Sequence, residues 1–316
     1  MTKLQKNQVT GAIRSEISRY GSAARVANKL GVSKATLSNM LNGKWEKISN
    51  ELWQNVAGKL NIRFDSWQVV PEITNTRMLT GVFNTARSNR MFIPVSYHAG
   101  SGKSQAAKLY VNMHPGEAIY YLNAREWGKR EFLLNLMQTL GLETPKGVVT
   151  VDRLGEMLIN FFVERTAQNP LLIIDEADKL KPSALRFLIH LFNYTEDRLG
   201  VVIMGTEHLE KEIKRGVRLA KKGYDEIDSR FGRNYIKLIG ATRKDVEKIC
   251  VANGITDKTK QKAVFDEAGP TEVRINTGNS YEFIRVVKDL RRVKRIVLRE
   301  LLKINQKTNK NELLLQ

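Results

Sequence analysis

The run MFIPVSYHAGSGKSQAAKLYV, residues 91–111, constrains this chain more than any other segment. An apolar stretch with strand character passes into a Gly/Ser turn carrying a lysine, and then into a helix. A phosphate-binding loop requires this strand–loop–helix context. Glycine lets backbone N–H groups wrap a β-phosphate, lysine meets the β/γ oxygens, and a hydroxyl holds Mg2+. Gly100, Ser101, Gly102, Lys103 and Ser104 are therefore the candidate nucleotide-binding residues, and Ser104 is also a candidate Mg2+ ligand. The usual spacing, G-x-x-x-x-G-K-[ST], places a glycine at position 97, where this chain has Tyr97. A side chain fits there if the loop begins with an ordinary backbone angle.

About 70 residues beyond Lys103 comes NPLLIIDEADKLKPSALRFLIHLF, in which Leu171–Ile174 form a short, wholly apolar strand ending in Asp175 and Glu176. Two carboxylates at a strand end are costly without a purpose. Asp175 is placed to hold Mg2+ through water, and Glu176 to orient and deprotonate an attacking water, the division of labour for phosphoanhydride hydrolysis. Together, the two segments predict ATP as the ligand.

Around them strands (91–96, 117–122, 171–174, 200–204, 234–238) alternate with helices (103–112, 129–140, 151–166, 182–193, and a basic stretch 207–222). Such alternation predicts a parallel sheet with helices on both faces. The strand VVIMG ends before Thr206, where a polar side chain can sense a γ-phosphate, and DEIDSRFGRNYIKL places Arg230 and Arg233 just before the last expected strand.

Residues 7–61 read instead as short helices divided by Gly and polar breaks. Ser22 and Ser33 are expected helix caps, Gly31 a chain reversal, and Leu37 and Leu41 share one face. Residues 62–75, with Pro71, read as a connector whose Trp67 docks on a neighbour.

Charge narrows the partner. Lys and Arg number 52 against 33 Asp and Glu, giving +19 and a pI near 9.9. Both ends of the chain are the most biased, which favours a polyanion touching more than one module. No apolar run approaches the roughly 18–20 residues of a membrane span, and the N-terminus lacks a secretory pattern, so a cytoplasmic location is expected and no membrane partner. The lone Cys250 is expected to be a small buried residue.

The spacing of Ala27, Gly31, Val32 and Leu37 resembles the helix-turn-helix of phage-type repressors. That resemblance makes Ser33, Lys34, Thr36, Ser38 and Asn39 the candidate readers of DNA base edges. The nucleotide loop, the DEAD segment, the polar residue at 206, the SRF box and a C-terminal lid resemble the AAA+ ATPases. The whole layout is similar to the phage Mu B protein-like family of transposition ATPases. The resemblance implies an α/β AAA+ P-loop ATPase with a parallel sheet and a helical lid, preceded by a small all-α helix-turn-helix domain. Its parts fall at 1–62 (helix-turn-helix), 63–75 (linker), 76–241 (ATPase), 242–305 (helical lid) and 306–316 (a loose tail).

By the same resemblance Thr206 takes a sensor position and Arg230 is an arginine finger reaching a neighbour's ATP, with Arg233 as the fallback. Arg285, seven residues after Gly278, is the candidate lid arginine for the γ-phosphate. ATP then drives self-association into a filament or ring on duplex DNA, the assembly recruits a transposase, and hydrolysis dissolves it. DNA contacts are expected from NAREWGKRE, with Lys129 and Arg130, and from Lys214, Arg215, Arg218, Lys221 and Lys222.

Within the lid, Thr242 is an expected cap. A final helix is expected to carry Val286, Leu290, Val293, Val297 and Leu301 on one face and Lys288, Arg292, Arg295, Arg299 and Lys303 on an acid-free opposite face. A nucleotide-switched transcription regulator and a replication initiator or helicase loader are the competing functions. No nuclease or integrase signature stands apart from the ATPase motifs.

Overall fold

The computed structural model describes residues 3–60, 62, 67–144, 147, 149–276 and 280–313, and side chains within 5–303 of these. Residues 63–66 of the expected linker, Gly278 and the last three residues of the expected tail lie outside the described residues. The chain divides into two compact units. One comprises Met1–Asp65, Val82–Ser96 and Ala107–Ile236, the other Ser66–Gly81, Tyr97–Ala106 and Lys237–Gln316.

In chain order the elements are α1 (Lys3–Tyr20), α2 (Ala23–Leu30), α3 (Lys34–Leu41), α4 (Asn50–Lys59), α5 (Thr74–Ser88), β1 (Phe92–Ser96), α6 (Lys103–Met113) and β2 (Ile119–Asn123). There follow α7 (Lys129–Thr139), α8 (Val151–Val163), β3 (Leu171–Asp175), α9 (Pro182–Thr195), β4 (Gly200–Gly205), α10 (Glu207–Arg218) and α11 (Tyr224–Arg230). The chain then forms β5 (Ala241–Thr242), α12 (Arg243–Ala252), α13 (Lys258–Glu267), β6 (Thr271–Asn276), β7 (Tyr281–Val287) and α14 (Leu290–Leu313). Among the described residues no helix is long and apolar enough to cross a membrane.

In the first unit the strands pair in the order β1-β4-β3-β2, all parallel. Their apolar runs are covered on both faces, as parallel sheets require; every residue of β3 is buried. Ser96, Asn123, Asp175 and Gly205 end their strands at one edge. The expected strand 234–238 is absent as such. Ile236 makes a single parallel bridge to Val95, exchanging hydrogen bonds with Pro94 and Ser96. Arg233, at φ 56°, and Tyr235, tied through its hydroxyl to Asp228, turn the chain inward before a ladder can extend. The expected helix 207–222 breaks likewise, because Ala220 at φ 48° and Gly223 at φ 84° turn the chain between α10 and α11.

The four N-terminal helices belong to this same unit and share its apolar core. Ser22 and Ser33 cap α2 and α3, and Gly31 closes α2 in the left-handed conformation. A buried polar cluster ties the helices down. Glu16 pairs with Arg19 and Lys29, while Arg19 also donates to the carbonyls of Glu117, Val111 and His114, each at 2.8 Å. The Tyr20 hydroxyl donates to Thr139 O at 2.8 Å. Burial lowers Lys29 from its ordinary pKa, opposed by Glu16, and raises Tyr20.

The second unit corrects the all-helical lid. Residues 271–276 and 281–287 form an antiparallel hairpin, and the sheet order is β5-β7-β6. Thr271, Val273 and Ile275 alternate with polar residues, a period-two pattern, and Tyr281, Phe283 and Ile284 are aromatic or β-branched; both features suit strands. Val286 is therefore a strand residue and Lys288 precedes the last helix. That helix starts at Leu290, where Asp289 accepts the Arg291 N–H at 2.9 Å. Its basic side is not free of acids: Arg299 pairs with Glu267 and Lys303 with Glu300. The helix also continues through 306–313, where a loose tail was expected. Thr242 caps α12 in a reciprocal box with Asp245. Cys250 is fully buried, and burial pushes its thiol up to about 11. Trp67 packs on this unit's core with Lys294 Nζ 4.9 Å from its ring.

Candidate active site

The loop begins one residue after β1 and belongs to the second unit. Gly100 and Gly102 have φ of 80° and 92°, so the turn needs residues without a β-carbon. Tyr97 does not have a positive φ, and it fits where the consensus has glycine because its hydroxyl donates to Ile239 O at 3.0 Å. Lys103, 8% exposed, donates from Nζ to the carbonyls of Tyr97 (2.7 Å) and His98 (2.8 Å) and to Ser101 Oγ (3.2 Å). Ser104 occupies the first turn of α6.

Two residues that the motif did not announce hold this loop. Asn75 Nδ2 donates to Ser101 O at 3.0 Å while its Oδ1 accepts from Gly240 N at 2.9 Å. At the start of α14, Leu290 N–H donates to Gly100 O at 2.9 Å. A β-carbon added at Gly100 would lie 2.1 Å from Asp289 Oδ1, so the glycine is required by contact as well as by dihedral angle.

In the first unit, Asp175 ends β3 nearly fully buried. Its Oδ2 accepts from the Tyr121 hydroxyl at 2.7 Å and its Oδ1 from Glu176 N–H at 3.0 Å. Glu176 has φ 55°, ψ 35°, a left-handed conformation that a non-glycine residue holds only under constraint, and such strain marks functional positions. Its carboxylate pairs with Lys179 at 2.7 Å, which raises that lysine. Beside them the Thr206 hydroxyl donates to Asp178 Oδ2 at 2.6 Å and caps α10, and Thr206 O accepts from Ser96 Oγ at 2.8 Å. Asp178 Oδ1 is buried with no hydrogen-bond partner among the described residues. Asp175, Glu176, Asp178 and Thr206 thus cluster where β3 and β4 end. Tyr121 and Asp178 were not singled out in the sequence; Asp178 could have been, since it belongs to the acidic run DEAD.

The two arginines after Tyr224 pair locally. Arg230 bonds Asn193 at 3.0 Å and lies 3.7 Å from Glu226, and Arg233 pairs with Asp225 at 2.9 Å. The organiser of this segment is the buried Asp228, which accepts from Lys214 (2.9 Å) and Tyr235 (3.0 Å). Burial and the Asp228 charge raise Tyr235. Arg285 lies on β7, not on a helix, 3.8 Å from Asp266.

Of the candidate DNA contacts, Ser33, the cap of α3, and Lys34 and Ser38 on that helix are exposed, with Thr36 and Asn39 half-buried. The Ser33 hydroxyl is engaged as a cap. Lys129 pairs with Asp152 at 3.4 Å and Arg130 donates to Val149 O at 2.7 Å. Lys214 is committed to Asp228. Arg215, Arg218, Lys221 and Lys222 are exposed.

A glycine loop with its lysine after β1, and an acidic pair at the end of β3, which β4 separates from β1 in the parallel sheet, define the AAA+ P-loop ATPase fold. Residues 86–213 match the family model of an AAA domain. No curated protein matches the chain significantly. Among solved structures the chain is similar to Cdc6p from Pyrobaculum aerophilum, with TM-score 0.46 and 16% identity over 63% of this chain and 52% of that one. It is similar also to the ORC2 protein of Aeropyrum pernix, solved in ADPNP–ADP complexes, with TM-score 0.41 and 14% identity over 56% of this chain and 50% of that one. This chain thus spans about half the length of each.

Proposed function

We propose that the protein is an ATPase that ATP assembles, largely without sequence preference, on duplex DNA in the cytoplasm, where it recruits and stimulates a transposase and is released by hydrolysis. The observation that carries the ATPase part is the constrained Glu176 beside a buried, doubly hydrogen-bonded Asp175. Hydroxyl and carboxylate oxygens are the donors Mg2+ takes, and the Asp175 carboxylate, oriented by Tyr121 and Glu176 N–H, fits an ion of that kind. Ser104 and Asp175 would hold Mg2+, which supplies neutralisation of phosphate charge when bound.

The loop amides of Gly100–Ser104 cradle the phosphates. Lys103 exchanges its present carbonyl and hydroxyl acceptors for β- and γ-oxygens. Glu176 accepts a proton from water as its oxygen attacks the γ-phosphorus and the bond to the ADP oxygen breaks, yielding ADP and phosphate. Thr206 senses the γ-phosphate from the end of β4. Arg230, from a second copy, steadies the charge that develops, which requires it to leave Asn193 and Glu226 on assembly. Arg285 approaches the nucleotide from the lid only by leaving Asp266.

For DNA, α3 with its exposed Lys34 serves as the second helix of a helix-turn-helix, and Lys129, Arg130, Arg215, Arg218 and Lys221 contact phosphates. The positive balance of the whole chain supports this assignment.

The test is negative-stain electron microscopy of the protein on random-sequence duplex with a non-hydrolysable ATP analogue and with ADP. Regular assemblies with the analogue alone are expected, absent in Lys103→Ala and persistent with ATP in Glu176→Gln. Particles confined to one sequence would replace this reading with a nucleotide-switched regulator. Assemblies that fail to stimulate any transposase but bind a helicase would replace it with a loader.

A further inference from the structure

The β6–β7 hairpin buries little of one of its faces. The register sets Glu272 opposite Arg285, Arg274 opposite Phe283, and Asn276 opposite Tyr281, and in an antiparallel pair these three rungs project to the same side. On that side Phe283 is 69% exposed and Tyr281 58% exposed, and Phe283 is the most exposed large apolar side chain of those that are described. Two exposed aromatic rings side by side on a strand, about 7 Å apart by strand geometry, are an unusual expense of apolar surface. No exposed aliphatic side chain accompanies them along β6 and β7 on that face, as one would in a protein-docking patch; Val287, further along the same side, is buried in the core. The rings are accompanied by guanidinium groups instead: Arg274 lies over the Tyr281 ring, its guanidinium carbon 3.4 Å from the centroid, and Arg285 stands on the next rung. The acids nearby are Glu272 on the same face, Glu282 on the opposite face, and Asp266, which pairs with Arg285.

Rings open on one face, interleaved with planar cations, suit a ligand made of flat bases joined by phosphates. A duplex presents such ring faces only where its stack is broken, whereas in a single strand each base is free to stack. We infer that this face of the hairpin is a binding site for single-stranded nucleic acid, with a base stacked on Phe283 and the adjoining phosphate held by Arg274. The chemistry is sequence-tolerant, because every base has a π-face. It needs neither nucleotide nor the loop at Lys103, so it stands apart from the assembly proposed above. It gives the protein a grip on unpaired strand, of the sort exposed wherever duplex is opened.

The test uses the full chain without nucleotide and fluorescein-labelled (dT)12, followed by anisotropy, with a duplex of equal length in parallel. Phe283→Ala is expected to weaken (dT)12 binding at least about fivefold, the low end for loss of one stacked base, and to leave duplex binding within about twofold. Phe283→Trp is expected to restore binding and to show indole fluorescence quenched by (dT)12. Lys103→Ala is expected to leave both affinities unchanged, which separates this site from the ATPase reading. Because Phe283 is mostly outside the core, the alanine variant keeps the fold, and its unfolding midpoint verifies that. Unchanged (dT)12 binding in Phe283→Ala, an equal loss on single strand and duplex, or an indole that (dT)12 does not quench would overturn the assignment. So would a drop in self-association by light scattering with no change in (dT)12 affinity, which would make the face a contact between copies.

Discussion

Replacing Gly100 by alanine tests how the nucleotide loop is held by the start of α14. Two costs follow from the structure. An alanine at φ 80° sits in the left-handed region, about 1–2 kcal/mol for an L-residue. Its β-carbon would also meet Asp289 Oδ1 at 2.1 Å, so that carboxylate must swing away. Asp289 then loses its bond to Arg291 N–H, the cap of α14, worth about 1 kcal/mol. The sum, about 2–3 kcal/mol, corresponds to roughly 30- to 150-fold faster local opening of the first turn of α14 at 1.4 kcal/mol per factor of ten. Hydrogen exchange of a peptide covering 286–296 reads it directly, because the Leu290 N–H that bonds Gly100 O lies in that peptide. Asp289→Ala alone should cost about 1 kcal/mol, since only the cap is lost. The double variant should then cost no more than Gly100→Ala alone, leaving about 1 kcal/mol of non-additivity. Exchange at 286–296 unchanged in Gly100→Ala, or costs that add fully in the double variant, would show that Asp289 does not occupy the space against Gly100.

Glu16→Gln should destabilise the first unit by about 3 kcal/mol, because Arg19 and Lys29 lose their carboxylate while remaining largely buried. Burial already lowers Lys29 in the native state, so the unfolded chain binds more protons between that lowered value and the ordinary one, and stability rises with pH across that window. Without Glu16 the window extends downward, and urea midpoints should climb more between pH 7.5 and 9.5 in the variant than in the parent; a flat or falling profile would sink this account. Tyr121→Phe removes the 2.7 Å bond to Asp175 Oδ2, a charged-acceptor bond of about 1.5–3 kcal/mol, and should weaken Mg2+-dependent ATP-analogue binding about tenfold while sparing binding measured in EDTA. Equal losses with and without Mg2+ would detach Tyr121 from the metal. Glu176→Asn should abolish turnover yet keep the unfolding midpoint within about 1 °C, since asparagine tolerates the left-handed conformation and the exposed Lys179 pair contributes little. Retained turnover would remove Glu176 from the chemistry.

What was legible in the sequence follows from how local its cause is. The strand, glycine turn and lysine at 91–104, the apolar run ending at Asp175, and the caps at Ser22, Ser33 and Thr242 are set by residues a few positions apart, and each is found where its pattern put it. The errors lie where distant residues decide. Residues 271–287 alternate as strands do, but Val286 also fits a 3.6-residue stripe with Leu290 and Val293, and only the register of Val286 against Thr271 and Thr242 resolves it as a strand. Ile236 fails to extend a strand because Asp228 and Arg233, in the preceding helix and turn, redirect it. The partners of the chemical groups were least legible. Tyr121 reaches Asp175 across 54 positions and Asn75 reaches Gly240 across 165, and neither carries a motif. Arg230 and Arg233 show the reverse limit: the family resemblance implied reach toward a neighbour, while the fold gives each an acid close by in sequence. For the proposed role, Arg230 would have to exchange Glu226 and Asn193 for phosphate, and since a partly exposed pair of this kind is worth at most about 1 kcal/mol, that exchange would oppose the proposed assembly only weakly.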